Sequence, residues 1–420
     1  MGEKDEKKKK KKSKSIDPEE EVDKKDKKKD KKDKKDKDKD DKKDKKDKKD
    51  KGDKKDKKDK KDKKKDDSTQ GSDEKKSKKS KDKDIVKPDS FKKSKVPKMD
   101  LFEADPADTP TEGAKKYGDV TNQALQKKCK KIYKLLNHDP WNLIHRYDDD
   151  DMIDFVLDNP EPCSIKFEFD GFSGCIYPFS MCIALKASRD TMESVYDAFP
   201  NAIKETDWWI GTPYHYAGAY GAPPDVVQFL ILKHPNGADA VNYYGRTALH
   251  MGSLFKCPDP SMEILCRKYP MACQIKDKDG YLPIHLACEN GASSNVVRLL
   301  TTTYQPSVYA TCKYGMTPLH FAASHDPRRS VVSAILDAAN EPTICKATDS
   351  LGHTPLHMAL MALAEFEVVE CLVTFCPETV WMKTNKGELP LEIAKRKRAP
   401  KEYTELLEHE MERILLEQNS

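Results

Sequence analysis

A four-residue string that returns at an almost fixed interval limits what this chain can fold into. YPFS, TPYH, TALH, LPIH, TPLH, TPLH and LPLE place their second residues at Pro178, Pro213, Ala248, Pro283, Pro318, Pro355 and Pro390, at intervals of 35, 35, 35, 35, 37 and 35 residues. A second marker, Pro200, Pro235, Pro270, Gln305, Pro342 and Pro377, keeps the same step and shares the single two-residue expansion. A period in this range implies stacked supersecondary units rather than one globule. The shared expansion puts the extra residues between Pro318 and Pro342, most simply in the loop at Asp326, Pro327 and Arg328.

Each unit reads as two short helices joined by a polar loop. In the fourth, Pro283 suits a first helical turn, where a missing N–H costs nothing. Ile284, Leu286 and Ala287 make one apolar face, Gly291 interrupts the chain, and Val296, Val297, Leu299 and Leu300 make a second. Helices this short are not stable alone in water. They must be buried against their neighbours, which predicts an all-α helical-hairpin solenoid with one continuous core.

The strings resemble the ankyrin repeat. Its T-P-L-H-x-A hallmark stands intact at Thr317–Ala322 and Thr354–Ala359 and nearly so at Thr212–Ala217, with a glycine three places before the marker at Gly245, Gly280, Gly315, Gly352 and Gly387. The resemblance spans about residues 140–420. It weakens at the ends, where Ser180 and Glu392 replace the histidine and Ile210 the glycine. It implies a structural role for His215, His250, His285, His320 and His357, with Thr212, Thr247, Thr317 and Thr354: hydrogen-bond posts inside the stack. Successive histidines lie one repeat apart, roughly 10 Å if helices pack at usual distances, which is too far to share a metal ion with bonds of about 2 Å. The resemblance also implies a binding surface on the turn tips and inner helices. There this sequence carries Trp208, Trp209, Tyr243, Tyr244, Tyr281 and Tyr314 on the tips, and Tyr220 and Phe255 on the inner helices. Trp and Tyr are the usual anchors of protein interfaces. The competing reading packs several of them against adjacent tips or against the irregular stretch from Ile165 to Phe172.

The flanks differ in kind. Residues 1–90 hold 42 lysines and 29 acidic residues, a surplus of 13. Subtraction from the totals leaves 78 − 42 = 36 basic and 73 − 29 = 44 acidic residues in 91–420, a net of −8. A segment made mostly of K-K-D triplets cannot bury enough apolar surface to offset its ordering entropy, on the order of 1–2 kcal/mol per residue. The expected organisation is therefore a disordered Lys/Asp tail over 1–84, a linker over 85–118, a helical N-terminal cap over 119–170, about seven repeats over 171–398 and a C-terminal capping helix over 399–420. Within the cap, Ser164 to Asp170 alternates apolar and polar residues, as a short strand or extended excursion does. Acidic Asp148–Asp151 reads as a helix N-terminus, where negative charge is favoured.

These features narrow the function classes. No run of eighteen apolar residues offers a membrane span, and the charged N-terminus has no secretory h-region, so the expected location is cytoplasm or nucleus. Lys7–Lys14 and Lys395–Arg398 both look like basic nuclear-import signals. The twelve cysteines contain no C-x-x-C spacing and read as buried, reduced thiols. No nucleophile–base arrangement, phosphate-binding glycine loop or metal-ligand set is present, so neither a cofactor nor catalysis is expected. The leading reading is a scaffold for a protein partner. The alternative is a nuclear or nucleolar polyampholyte factor whose lysines touch nucleic acid, weakly, because aspartate cancels much of their field.

Overall fold

The computed structural model describes residues 120–142, 148–208 and 210–418. The tail over 1–84, the linker over 85–118, the basic run Lys7–Lys14 and Trp209 lie outside the described residues. The order of elements is α1 (Gln123–Leu136), α2 (Asp149–Asp158), then paired helices: α3 (Pro178–Ala184) with α4 (Arg189–Ala198), α5 (Pro213–Tyr220) with α6 (Pro224–Lys233), α7 (Ala248–Leu254) with α8 (Asp259–Lys268), and α9 (Pro283–Glu289) with α10 (Ser294–Thr303). Next come α11 (Pro318–Ser324) with α12 (Arg329–Ala338), the single turn α13 (Thr343–Lys346), α14 (Pro355–Ala362) with α15 (Phe366–Phe375), and α16 (Pro390–Lys397) with α17 (Lys401–Gln418). The fold is an all-α helical repeat.

The repeat markers act as start and stop signals. Proline is the first helical residue of α5, α9, α11, α14 and α16, the position where its ring fits and its absent N–H is not missed. The later prolines Pro200, Pro235, Pro270 and Pro377 open five-residue 3-10 turns after the second helix. Inner helices pack on inner helices and outer on outer, α5 on α7 on α9 on α11 on α14, and α8 on α10 on α12 on α15. The apolar residues between the layers form one buried cluster from Cys129 to Ile414.

The tightest approach is between α5 and α7. A Cβ at Gly218 would lie 2.4 Å from the Ala248 carbonyl oxygen and 3.0 Å from the Gly252 nitrogen, backbone atoms that cannot swing aside. Glycine therefore lets the two inner helices meet main chain to main chain.

The two-residue expansion does not sit where the markers suggest. Helix α12 begins eleven residues after Pro318, as α10 begins eleven after Pro283, so the Asp326–Arg328 loop has ordinary length. The extra residues fall after α12, between Ala338 and Pro342. Other second helices end on a residue with φ between −134° and −150° and ψ between 71° and 83°, as at Tyr304 and Cys376, and enter the 3-10 turn at once. Here Ala339 stays extended at φ −81° and ψ 130°, and α13 replaces the 3-10 turn. The preceding repeat holds the bulge: Asn340 and Glu341 donate their backbone N–H groups to Tyr309 Oη at 2.9 and 3.2 Å, and Gln305 Nε2 donates to the Ala338 carbonyl at 2.9 Å.

At the front, Asn122 caps α1 by accepting from Ala124 N and Leu125 N, and Cys129, Ile132 and Leu136 are buried. The acidic run opens α2, with Asp148 as its cap. Asp149 does more than favour a helix dipole, since it accepts from Ser188 N at 3.0 Å and from the Thr191 hydroxyl at the start of α4. The stretch after α2 is an extended excursion with a single antiparallel bridge, Phe167 to Ile176, and its Phe167, Phe169 and Phe172 are buried. At the back, Tyr403, Leu407 and Ile414 of α17 are buried, while Leu415 turns outward. The Lys395–Arg398 run lies in the last turn and cap of α16, with Lys395 paired to Glu408 at 2.8 Å and Arg396 to Glu388 at 3.1 Å. Among the described residues no helix is long and apolar enough to cross a membrane.

Two substitutions test this packing. Gly218→Ala is expected to destabilise the chain by about 1–3 kcal/mol, seen as a lower urea midpoint; an unchanged midpoint would contradict the main-chain contact. Tyr309→Phe should speed hydrogen exchange at the Asn340 and Glu341 amides and leave the interior of α12 protected.

Candidate protein-binding surface

The hallmark residues are built into the first turn of each inner helix. In α5 the Nδ1 of His215 accepts from Thr212 N at 3.0 Å and lies 2.8 Å from Thr212 Oγ1. The same arrangement recurs at Thr247 with His250, Thr317 with His320, and Thr354 with His357. In α9 leucine replaces the threonine, and only the backbone bond from Leu282 N to His285 Nδ1 remains, at 3.0 Å. A backbone N–H can only donate, so Nδ1 must be the bare acceptor and the ring proton sits on Nε2. That proton is spent on the following repeat: His215 donates to the Arg246 carbonyl at 2.8 Å, His250 to Tyr281 at 3.1 Å, His285 to Ala310 at 3.0 Å and His320 to His353 at 3.0 Å. For His357 the matching carbonyl is that of Glu388, at a looser contact than the other four. Burial pushes His215, His250, His285 and His357 from the ordinary 6.5 down to about 4, and lowers His320 as well.

The tips that carry the Arg246, Tyr281 and His353 carbonyls are held by a second periodic series, whereas Ala310 lies just before its tip, at the end of a 3-10 turn. Asn242 Oδ1 accepts from Tyr244 N and Arg246 N, both at 3.0 Å. Asp277 Oδ1 accepts from Asp279 N and Tyr281 N, and Asp349 Oδ1 from Leu351 N and His353 N. Thr384 Oγ1 holds its tip in the same way, and Asp207 Oδ1 accepts one step later, from Ile210 N and Gly211 N. Cys312 occupies the matching place in its repeat. The sequence reading missed these residues, although they recur three places before each tip glycine with the same period. At φ +75° and +80°, Gly245 and Gly280 take a left-handed turn that a side chain would strain.

Successive tips are joined by main chain. Lys278 N donates to the Tyr244 carbonyl, Lys313 N to Asp279, Ser350 N to Tyr314 and Asn385 N to Leu351, each at 3.0 Å. Arg246 Nε pairs with Asp277 Oδ2 at 3.0 Å across two tips, and Lys313 pairs with Asp279. The tips thus form a ribbon whose side chains have fixed neighbours.

On this ribbon the aromatic residues divide into two groups. Trp208, Tyr243 and Tyr314 are 37%, 62% and 49% exposed. Tyr244 stands edge-on to Tyr243 at 5.3 Å and is half-buried, as is Tyr281, which lies 5.7 Å from Phe321. The inner-helix pair is covered. Tyr220, only 3% exposed, lies 5.0 Å from the Trp141 ring and 5.9 Å from Phe172, and Phe255 lies 5.7 Å from the same indole. Trp141 fills the inner-helix surface between α5 and α7 and remains 41% exposed itself. Among the described residues no group of three His, Cys, Asp or Glu side chains is placed to hold a metal ion.

Residues 256–344 match the family model of ankyrin repeats, in three copies. That part of the chain therefore carries ankyrin repeats, and the Thr–His geometry continues on both sides of it, at Thr212–His215, Thr247–His250 and Thr354–His357. No curated protein matches the chain.

The histidines make stability depend on pH. Unfolded, each imidazole binds a proton near 6.5; folded, it does so only near 4. Between these values the unfolded chain holds more protons, so stability is complete above about 6.5 and falls as pH drops towards 4, by about 1.4 kcal/mol for each unit of depression. Urea midpoints should decline from pH 7.5 to 5; a flat profile would contradict the neutral, Nε2-protonated assignment.

Proposed function

We propose that the chain is a non-catalytic scaffold that holds a protein partner against the tip ribbon of its repeats. Ankyrin repeats commonly bind proteins, and the observation that carries the reading is the exposed aromatic run of Trp208, Tyr243 and Tyr314, the last two on tips joined by backbone hydrogen bonds. Aromatic rings on an ordered surface lose little side-chain entropy when a partner covers them, which is what makes them anchors. Fixed tips lower the cost further, because no loop has to be ordered on binding.

The inner-helix aromatics contribute through Trp141. Tyr220 and Phe255 support its indole rather than meeting the partner themselves, so the exposed face of Trp141 extends the surface inward from the tips. Residues 1–90 act in this reading as a charged appendage that sets solubility and spacing.

The test is a joint replacement of Trp208, Tyr243 and Tyr314 by alanine in the full chain, with a circular-dichroism control. Affinity capture should lose the proteins retained by the parent. Retention of the same set by a folded triple variant would exclude the ribbon as the site. Deletion of residues 1–90 separates the scaffold from a tail-driven nucleic-acid factor: the captured set is expected to survive it.

A further inference from the structure

We propose that the segment seated on the ribbon is acidic, with Asp or Glu side chains on Lys278 and Lys276 and an apolar side chain between Tyr243 and Tyr314. The inference rests on the binding-surface reading above and adds the chemistry of the partner.

Charge bookkeeping at the tips supplies the argument. Residues 91–420 carry a net of −8, 36 basic against 44 acidic, yet the charges left over on these tips are positive. Asp277 is buried, holds its own turn and pairs with Arg246. Asp279 is taken by Lys313. Glu289, the inner-helix carboxyl that neighbours Arg246 and Asp277, is half-buried, and burial raises its pKa. Lys278 stands over the Tyr243 ring with Nζ 3.8 Å from the centroid and has no carboxylate partner among the described residues. Exposed Lys276 donates to the Thr311 carbonyl at 3.3 Å and has no carboxylate partner among the described residues. Among the described residues these two ammonium groups have no carboxylate partner, and Lys278 lies between the tips that carry Tyr243 and Tyr314.

The stacking also gives those charges a position. An ammonium held on an aromatic face is favoured by about 0.5–1 kcal/mol at an exposed site, so Lys278 has lost part of its freedom before a partner arrives. The backbone bonds from Lys278 N to Tyr244 O and from Lys313 N to Asp279 O fix the spacing from Tyr243 through Lys278 to Tyr314. A carboxylate on Lys278 also comes within reach of the Tyr243 hydroxyl as a donor, and the ring edges offer apolar contact on either side. A basic segment would face two like charges here.

Selection from a displayed random-peptide library on the immobilised full chain tests this. Subtracting peptides that still bind Tyr243→Ala removes those held by the lysines of residues 1–90. The remaining, tip-dependent peptides should be rich in Asp and Glu around an aromatic or aliphatic residue. Their affinity should fall about tenfold in Lys278→Glu and with added salt, as for charges at an interface rim, and persist in Lys278→Arg. Tip-dependent peptides that are neutral or basic would overturn the acidic assignment and leave the ribbon as the site. A selection in which no peptide depends on Tyr243, Tyr314 or Lys278 would overturn both. A labelled oligouridine that binds in a Tyr243-dependent way, with no acidic peptide selected, would replace the protein partner by RNA.

Discussion

The stack depends on a neutral imidazole that bonds in two directions. Its Nδ1 accepts from the backbone N–H that opens its own helix, and its Nε2 proton is given to a carbonyl of the next repeat. One small ring thus starts a helix and fastens a neighbour, and it does so only while uncharged. Burial keeps it uncharged, since desolvation is the largest cause of the lowered pKa at all five positions. Helices of seven or eight residues have little stability of their own, so such links, with the apolar packing around them, carry the architecture.

The tips follow from this. A histidine can only reach a carbonyl that is held still, and the Asx-type bonds of Asn242, Asp277 and Asp349, with glycine in the left-handed turn, hold it. The price is that each tip turns side chains out to solvent, and at Tyr243 and Tyr314 those are large rings. What fixes the fold and what offers a binding surface are two ends of the same turn.

Much of this was legible in the sequence because period and hallmark are local properties. Helix starts at proline, breaks at Gly291 and the recurring Thr–His pair all follow from residue type and spacing. What was not legible depended on length or on distant contacts. Markers at Pro318 and Pro342 bound the expansion but cannot say which junction absorbed it, and the hydroxyl that holds the bulge comes from Tyr309 in another repeat. Exposure was the hardest to read. Tyr220 and Tyr243 look alike as aromatic residues of a binding face, yet one is covered by Trp141, some eighty residues away in sequence, and the other is bare.

Every histidine link points the same way, from a hairpin to its successor. Shortening the chain from its front would remove a donor and leave behind a carbonyl that water can satisfy. Shortening it from the back would strip the acceptor from an imidazole and let solvent reach the ring, so a silent base would become one that titrates near neutrality. In the final hairpin Glu392 takes the histidine's place and accepts from Leu389 N at 2.7 Å, but a carboxylate has no second N–H to hand forward, and there the one-way series stops.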